Sequence, residues 1–170
     1  MRRTMKSRSF LQLLALGAVW GAAFMFMRIA APEFGAIALA GVRVALACVI
    51  MLAIVAILRL PFPLASHWKR YLAVGGVNTA GPFLMYCFAA LYIPSAYSAI
   101  GNSTTPIWGA LIAWLVFKER LGTAKWIGIA LAFSGVIALV GLQPVDVTPM
   151  IVLGMIAVLV GAMMYATASF

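Results

Sequence analysis

The stretch FLQLLALGAVWGAAFMFMRIAA, from Phe10 to Ala31, carries a single ionisable side chain, Arg28. A helix rising about 1.5 Å per residue needs roughly 20 apolar residues to cross a ~30 Å hydrocarbon core, and this stretch is long enough to do so. Five comparable runs follow it: Phe34–Leu58, Tyr71–Tyr92, Ala96–Phe117, Trp126–Leu142 and Met150–Phe170. The pattern predicts an all-α integral membrane protein, a polytopic helical bundle of about six transmembrane helices.

Charge placement orients the bundle. Ten of the 12 Lys and Arg residues fall in alternate gaps: Arg2, Arg3, Lys6 and Arg8 before the first run, Arg59, Lys69 and Arg70 after the second, Lys118, Arg120 and Lys125 around the start of the fifth. The opposite gaps carry only Glu33 and Asp146. Loops rich in Lys and Arg stay on the cytoplasmic side, so the N-terminus is expected there, with odd-numbered helices running outward. A net charge of +9 would suit a nucleic-acid binder, but the positives lie in short loops beside apolar spans and form no basic stripe, so nucleic acid is excluded as a partner. The lipid bilayer is the expected surrounding, since 66% of the residues are hydrophobic and 9% charged.

The N-terminal region has a signal-peptide outline, with basic residues, an apolar stretch and Gly21-Ala22-Ala23. The apolar run, however, continues to Met27, longer than a usual signal core, and reads as an uncleaved first helix. Cys48 and Cys87 sit inside apolar runs and read as small packing residues. His67 is the only histidine, expected in a cytoplasmic loop, so no metal site and no cofactor is expected. Pro32, Pro61, Pro63, Pro94, Pro144 and Pro149 punctuate the gaps. Short connections make sequential helices neighbours. Trp68, Tyr71, Tyr92, Tyr97 and Trp126 mark interfaces. Small residues at four-residue spacing (Gly17 and Gly21; Gly101, Thr105, Gly109 and Ala113; Ala124, Gly128 and Ala132) predict close helix packing.

Arg28 lies close to the outer end of its helix, where its head group can reach the interface by snorkelling. Arg43 lies nine residues into the second run, about 13–14 Å below the outer surface. No acidic residue accompanies it at depth, so it needs a polar cavity, helix carbonyls, an anionic ligand or an acid on another segment. Helix three carries Asn78-Thr79 before Gly81-Pro82, and helix four carries Asn102-Ser103-Thr104-Thr105-Pro106. Each proline removes a backbone donor and opens its helix nearby. Freed carbonyls at membrane depth occur where they are buried or line water, and transporters build midplane solute sites from such breaks. Interhelical hydrogen bonding alone is the competing explanation.

These residues resemble the EamA-type members of the drug/metabolite transporter superfamily. The matching stretches are Leu16–Phe24 with its Trp20-Gly21, followed by Arg28; Leu39-Ala-Gly-Val-Arg43; and Phe88 to Leu139. The last contains Ala89–Ser95, Pro106, Phe117-Lys-Glu-Arg-Leu121, Gly128 and Ser134-Gly-Val136. The resemblance implies the first half of a ten-helix transporter of two inverted five-helix repeats. Residues 1–9 would be the cytoplasmic N-terminus, 10–142 the five-helix repeat, and 149–170 the first helix of a second repeat, where Val160–Ala166 echoes Trp20–Phe24. The sequence stops within that helix, which suggests a fragment; a missing C-terminal half or a homodimer would complete the cavity. The resemblance also implies a cell (inner) membrane location and export of a small-molecule solute (a metabolite, an amino acid or a drug) by alternating access.

Six residues are the candidates for a substrate cavity: Trp20 as an aromatic wall, Arg43 as an anion or carbonyl anchor, and Asn78, Tyr86, Asn102 and Thr105 as hydrogen-bond partners. Coupling stays open, since Glu33 and Glu119 lie at helix ends. A small multidrug-type homodimer would need four helices and an embedded glutamate, which this chain lacks. An intramembrane enzyme needs a nucleophile with a His or acidic partner, and none lies at depth. An inactive or structural membrane fragment is the remaining alternative.

Overall fold

The computed structural model describes residues 7–61, 64–119, 122–141 and 148–170. Arg2, Arg3, Lys6, Pro63, Arg120, Leu121, Leu142, Pro144 and Asp146 lie outside the described residues, as do the side chains of Arg8, Ala132, Val136 and Leu139. The elements in order are α1 (Ser7–Phe34), α2 (Ala36–Ile57), α3 (Leu64–Gly75), a π-helical segment (Gly76–Ala80), α4 (Gly81–Tyr92), α5 (Ser95–Asn102), α6 (Thr105–Leu115), α7 (Thr123–Gly141) and α8 (Pro149–Thr167). Among the described residues there is no strand. Among the described residues, four continuous helices are long and apolar enough to span a bilayer: Ser9–Phe34, Ala36–Ile57, Ala65–Tyr92 and Pro149–Thr167. The chain is an all-α membrane bundle.

Chain reversals follow local chemistry. Pro32 was expected to follow the first helix but lies inside α1, which runs on to Phe34. Pro32 has no N–H to give the Arg28 carbonyl, so the last turn of α1 lacks one helical hydrogen bond. The helix ends at Gly35, the single residue between α1 and α2, at φ 73°. Its N–H donates to the Ala31 carbonyl at 2.8 Å. At the other end of α2, Arg59 sits at φ 50°. Its N–H reaches Ala56 O at 3.2 Å while Leu60 N–H reaches Val55 O at 3.0 Å, a Schellman closure with a non-glycine in the left-handed position.

Two expected boundaries move. The third helix begins at Leu64 rather than Tyr71, so His67 belongs to a helix and not to a loop; its φ of −127° kinks α3 there. The fourth span is interrupted: α5 and α6 are separated at Ser103-Thr104. Pro106 supplies no N–H to the Asn102 carbonyl, and the Thr105 hydroxyl donates to that oxygen instead, at 2.7 Å. Ser103 and Thr104 hydroxyls likewise donate to the Ile100 and Gly101 carbonyls, each at 2.6 Å. The break is therefore closed by side chains, as an apolar surrounding demands.

The core is built on α4 and α8. Tyr86, Cys87, Ala89, Ala90 and Ile93 pack with Phe24, Met27 and Ala31 of α1 and with Ala157 and Val158 of α8. Sequential helices are thus not always the main neighbours: α8 packs chiefly on α4, then on α6 and α5. Of the glycines in the small-residue stripes, only Gly101 makes a close approach. A Cβ there would collide with Val158, whereas Gly17, Gly21, Gly109 and Gly128 meet nothing within 4 Å. The close glycines of α8 are Gly154 against Ile93 and Gly161 against the Tyr86 ring. Large apolar side chains such as Val19, Ile37 and Leu46 cover the outer faces of α1 and α2. That is the surface a lipid solvent favours and water would not.

Candidate functional site

Two adjoining cavities lie among α1, α2, α4, α5, α6, the π segment and α8. The inner one, of about 180 Å³, is lined by Trp20, Ala23, Phe24, Met27, Arg43, Phe83, Tyr86, Asn102 and Tyr165. The outer one, of about 680 Å³, is lined by Trp20, Asn78, Asn102, Ser103, Thr105, Pro106, Gly109, Tyr165, Ala166, Ser169 and Phe170. Trp20, Asn102 and Tyr165 belong to both. All six residues singled out from the sequence therefore face one or both spaces: Arg43 and Tyr86 the inner, Asn78 and Thr105 the outer, Trp20 and Asn102 both.

Each is positioned by a local feature. Pro82 cannot donate to the Asn78 carbonyl, and the chain accommodates this by widening into the π segment, where Gly81 N–H reaches back to Gly76 O. That register shift carries Asn78 onto the outer cavity; π segments of this kind commonly mark functional sites. Asn102 ends α5 at the break, and its side-chain oxygen accepts from the Tyr86 hydroxyl at 2.8 Å. Thr105 faces the outer cavity, but its proton is committed to the Asn102 carbonyl, so toward the cavity the hydroxyl can only accept.

Tyr86 is the hub of an aromatic group. Phe24 meets it edge-on with ring centroids 5.5 Å apart, and Tyr165 stacks on it at 5.9 Å. Arg43 lies over the Phe83 ring, 4.5 Å from its centroid. Among the described residues its guanidinium has no hydrogen-bond acceptor or carboxylate partner. Arg28 behaves otherwise than expected. Instead of reaching outward to the interface, it is half-buried, and its Nη1 donates to the Ala90 carbonyl at 2.6 Å. The outermost carbonyls of α4 lack partners within the helix and hold it there.

Tyr165, Phe24, Phe83 and Met27 escaped the sequence reading. Tyr165 was within reach, because it lies four residues after Gly161 in the Val160–Ala166 segment that echoes Trp20–Phe24. Phe24 closes the Leu16–Phe24 stretch that carried the family resemblance but was not singled out for the cavity, and Phe83 and Met27 carried no signal separating them from other apolar residues. Among the described residues, no cluster of His, Cys, Asp and Glu could hold a metal ion. Cys48 and Cys87 are free thiols, the first exposed and the second buried.

A helical membrane bundle with a broken span, a π segment and an arginine-bearing cavity has the chemistry of a solute path. The model of the EamA-like transporter family matches residues 8–141. The chain belongs to that family. No curated protein and no solved structure matches the chain. As an EamA-like protein of the drug/metabolite transporter superfamily, it is a multi-pass membrane protein of a transporter family, with lipid around it and a small-molecule solute as its implied cargo.

Proposed function

We propose that this EamA-like chain moves a small solute through the two cavities by alternating access, with Trp20, Arg43, Asn78, Tyr86, Asn102 and Thr105 as the residues that meet it. The observation that carries this reading is the sharing of Trp20, Asn102 and Tyr165 between the two spaces. Those three side chains form a partition between an arginine-bearing chamber and a polar vestibule. A solute crossing it exchanges one set of contacts for the other. The break at Ser103-Thr104 and the π segment are the two places where α-helical hydrogen bonding is already relaxed, which suits them as hinges.

Residues 10–142 then act as one five-helix repeat, and α8 as the first helix of a second, inverted one. The direction is export, across the cell (inner) membrane, with the N-terminus cytoplasmic. A C-terminal half or a second copy of the chain would supply the far wall of the cavity.

Proteoliposomes holding the protein expressed from its complete gene test this. Counterflow of a panel of labelled metabolites should exceed that of empty vesicles. Arg43→Ala should abolish it while membrane insertion and helical circular dichroism stay unchanged. Transport that persists in that variant removes the cavity from the mechanism.

A further inference from the structure

The two arginines within the apolar spans are satisfied in opposite ways. Arg28 has the Ala90 carbonyl. Arg43, with five N–H donors and a charge it cannot lose, has a ring beneath it and no acceptor among the described residues. An aromatic face offsets only part of what a guanidinium loses on leaving water. An acceptor of negative charge would complete it.

The neighbouring amide has the same polarity. The Tyr86 hydroxyl donates to one lone pair of the Asn102 oxygen and so turns that end of the amide toward itself, leaving the NH2 group, with two donors, as the end presented to a ligand. No Asp or Glu lines either cavity. The polar part of the inner cavity is thus rich in donors and carries one positive charge. Its remaining wall is flat and aromatic, from Trp20, Phe24, Phe83 and Tyr165. Its volume of about 180 Å³ falls below the roughly 300–1,000 Å³ of pockets that hold drug-sized ligands.

We infer that the solute is a small organic monoanion: one carboxylate on a flat apolar or aromatic body. Arg43 and the Asn102 amide hold the carboxylate, and the rings of Trp20 and Tyr165 hold the body. A single guanidinium matches a single negative charge, and a planar carboxylate matches the guanidinium fork. Tyr86, besides lining the cavity, positions Asn102 and keeps its donors turned toward the ligand. This inference rests on reading the cavities as the solute path.

The test uses the protein from its complete gene, in detergent micelles, titrated with benzoate, benzamide and benzylamine, which share a ring and differ in charge. Benzoate should quench tryptophan fluorescence and raise the melting temperature, and the neutral and cationic analogues should do neither at equal concentration. Arg43→Gln should weaken benzoate by about ten-fold to a hundred-fold, the loss typical of a hydrogen bond to a charged group. Arg43→Lys should restore part of it, which also shows that the weakening is not misfolding. Tyr86→Phe should weaken benzoate without creating a response to benzamide. An equal response to benzamide or benzylamine overturns the anion assignment while leaving the solute path standing. No response to any of the three overturns it as well and points to a protein carboxylate as the partner of Arg43. Loss of the path itself would be seen separately, as transport that survives Arg43→Ala.

Discussion

The guanidinium of Arg28 on α1 donates to the carbonyl oxygen of Ala90 on α4 at 2.6 Å, joining residues 62 apart in sequence. Ala90 lies in the last turn of α4, where carbonyls lack intrahelical partners and the helix dipole favours a positive charge. One side chain thereby fastens the C-terminal part of the first helix to the helix that forms the core. A basic residue at a span's end is usually explained by access to water, and here it acts as a clamp between helices.

Removing that clamp should cost stability. Arg28→Ala is expected to lose about 1.5–3 kcal/mol, the range for a hydrogen bond to a charged group. Thermal unfolding in detergent would show it as a lowered melting temperature. Arg28→Lys should recover part of the loss, since an ammonium can still reach the carbonyl but lacks the fork. If the side chain served only to reach the interface, both variants would melt with the parent.

A second relationship holds α5 against α8. A Cβ at Gly101 would collide with the side chain of Val158, and Val158 is completely buried. Gly101→Ala is therefore expected to destabilise by about 1–3 kcal/mol through overpacking. Val158→Ala in the same chain vacates the colliding methyl and should relieve it, giving a coupling of about 0.5–3 kcal/mol in a double-mutant cycle. Asn102 is the next residue, so the single variant should also slow transport and the double variant should restore it. Additive effects on melting would mean that the two sites are not in contact.

How much was legible from sequence follows from which interactions a sequence can display. Apolar length and the two arginines read directly as membrane helices with costly buried charge. Pro82 and Pro106 announced disturbed helices at Asn78 and Asn102, because a missing N–H is a covalent fact. What Arg28 bonds was not legible, since Ala90 offers a backbone oxygen and every residue has one. Small-residue spacing misled for Gly17, Gly21, Gly109 and Gly128, because spacing shows that a face is smooth but not that another helix lies on it. The Val160–Ala166 echo of Trp20–Phe24 pointed to the segment that holds Tyr165, but that this segment meets the cavities follows from the packing of α8 on α4, a contact between distant elements that no local pattern displays.

Orientation can be read by chemical labelling. In a background of Cys48→Ala and Cys87→Ala, a cysteine replacing Glu33 should react with a membrane-impermeant maleimide in intact cells. One replacing Ser66 should react only after permeabilisation. Both positions are exposed, and they flank opposite ends of α2. Rapid labelling of the Ser66→Cys protein in intact cells would reverse the topology derived from the basic loops.

The π segment makes the sharpest separation between stability and transport. Pro82→Ala returns an N–H that the Asn78 carbonyl can accept, so the widened turn can close into a regular α-helix. Losing one residue of register rotates the preceding chain by about 100° and takes Asn78 away from the outer cavity. The regained hydrogen bond is worth about 0.5–1.5 kcal/mol and opposes the small void left by the buried proline ring, so the melting temperature should change little. Transport should fall several-fold, to about the level of Asn78→Ala. Combining the two substitutions should lower it no further, because each removes the same side chain from the same wall. If the double variant is slower than either single one by the product of their effects, Pro82 acts on transport by some route other than the placement of Asn78.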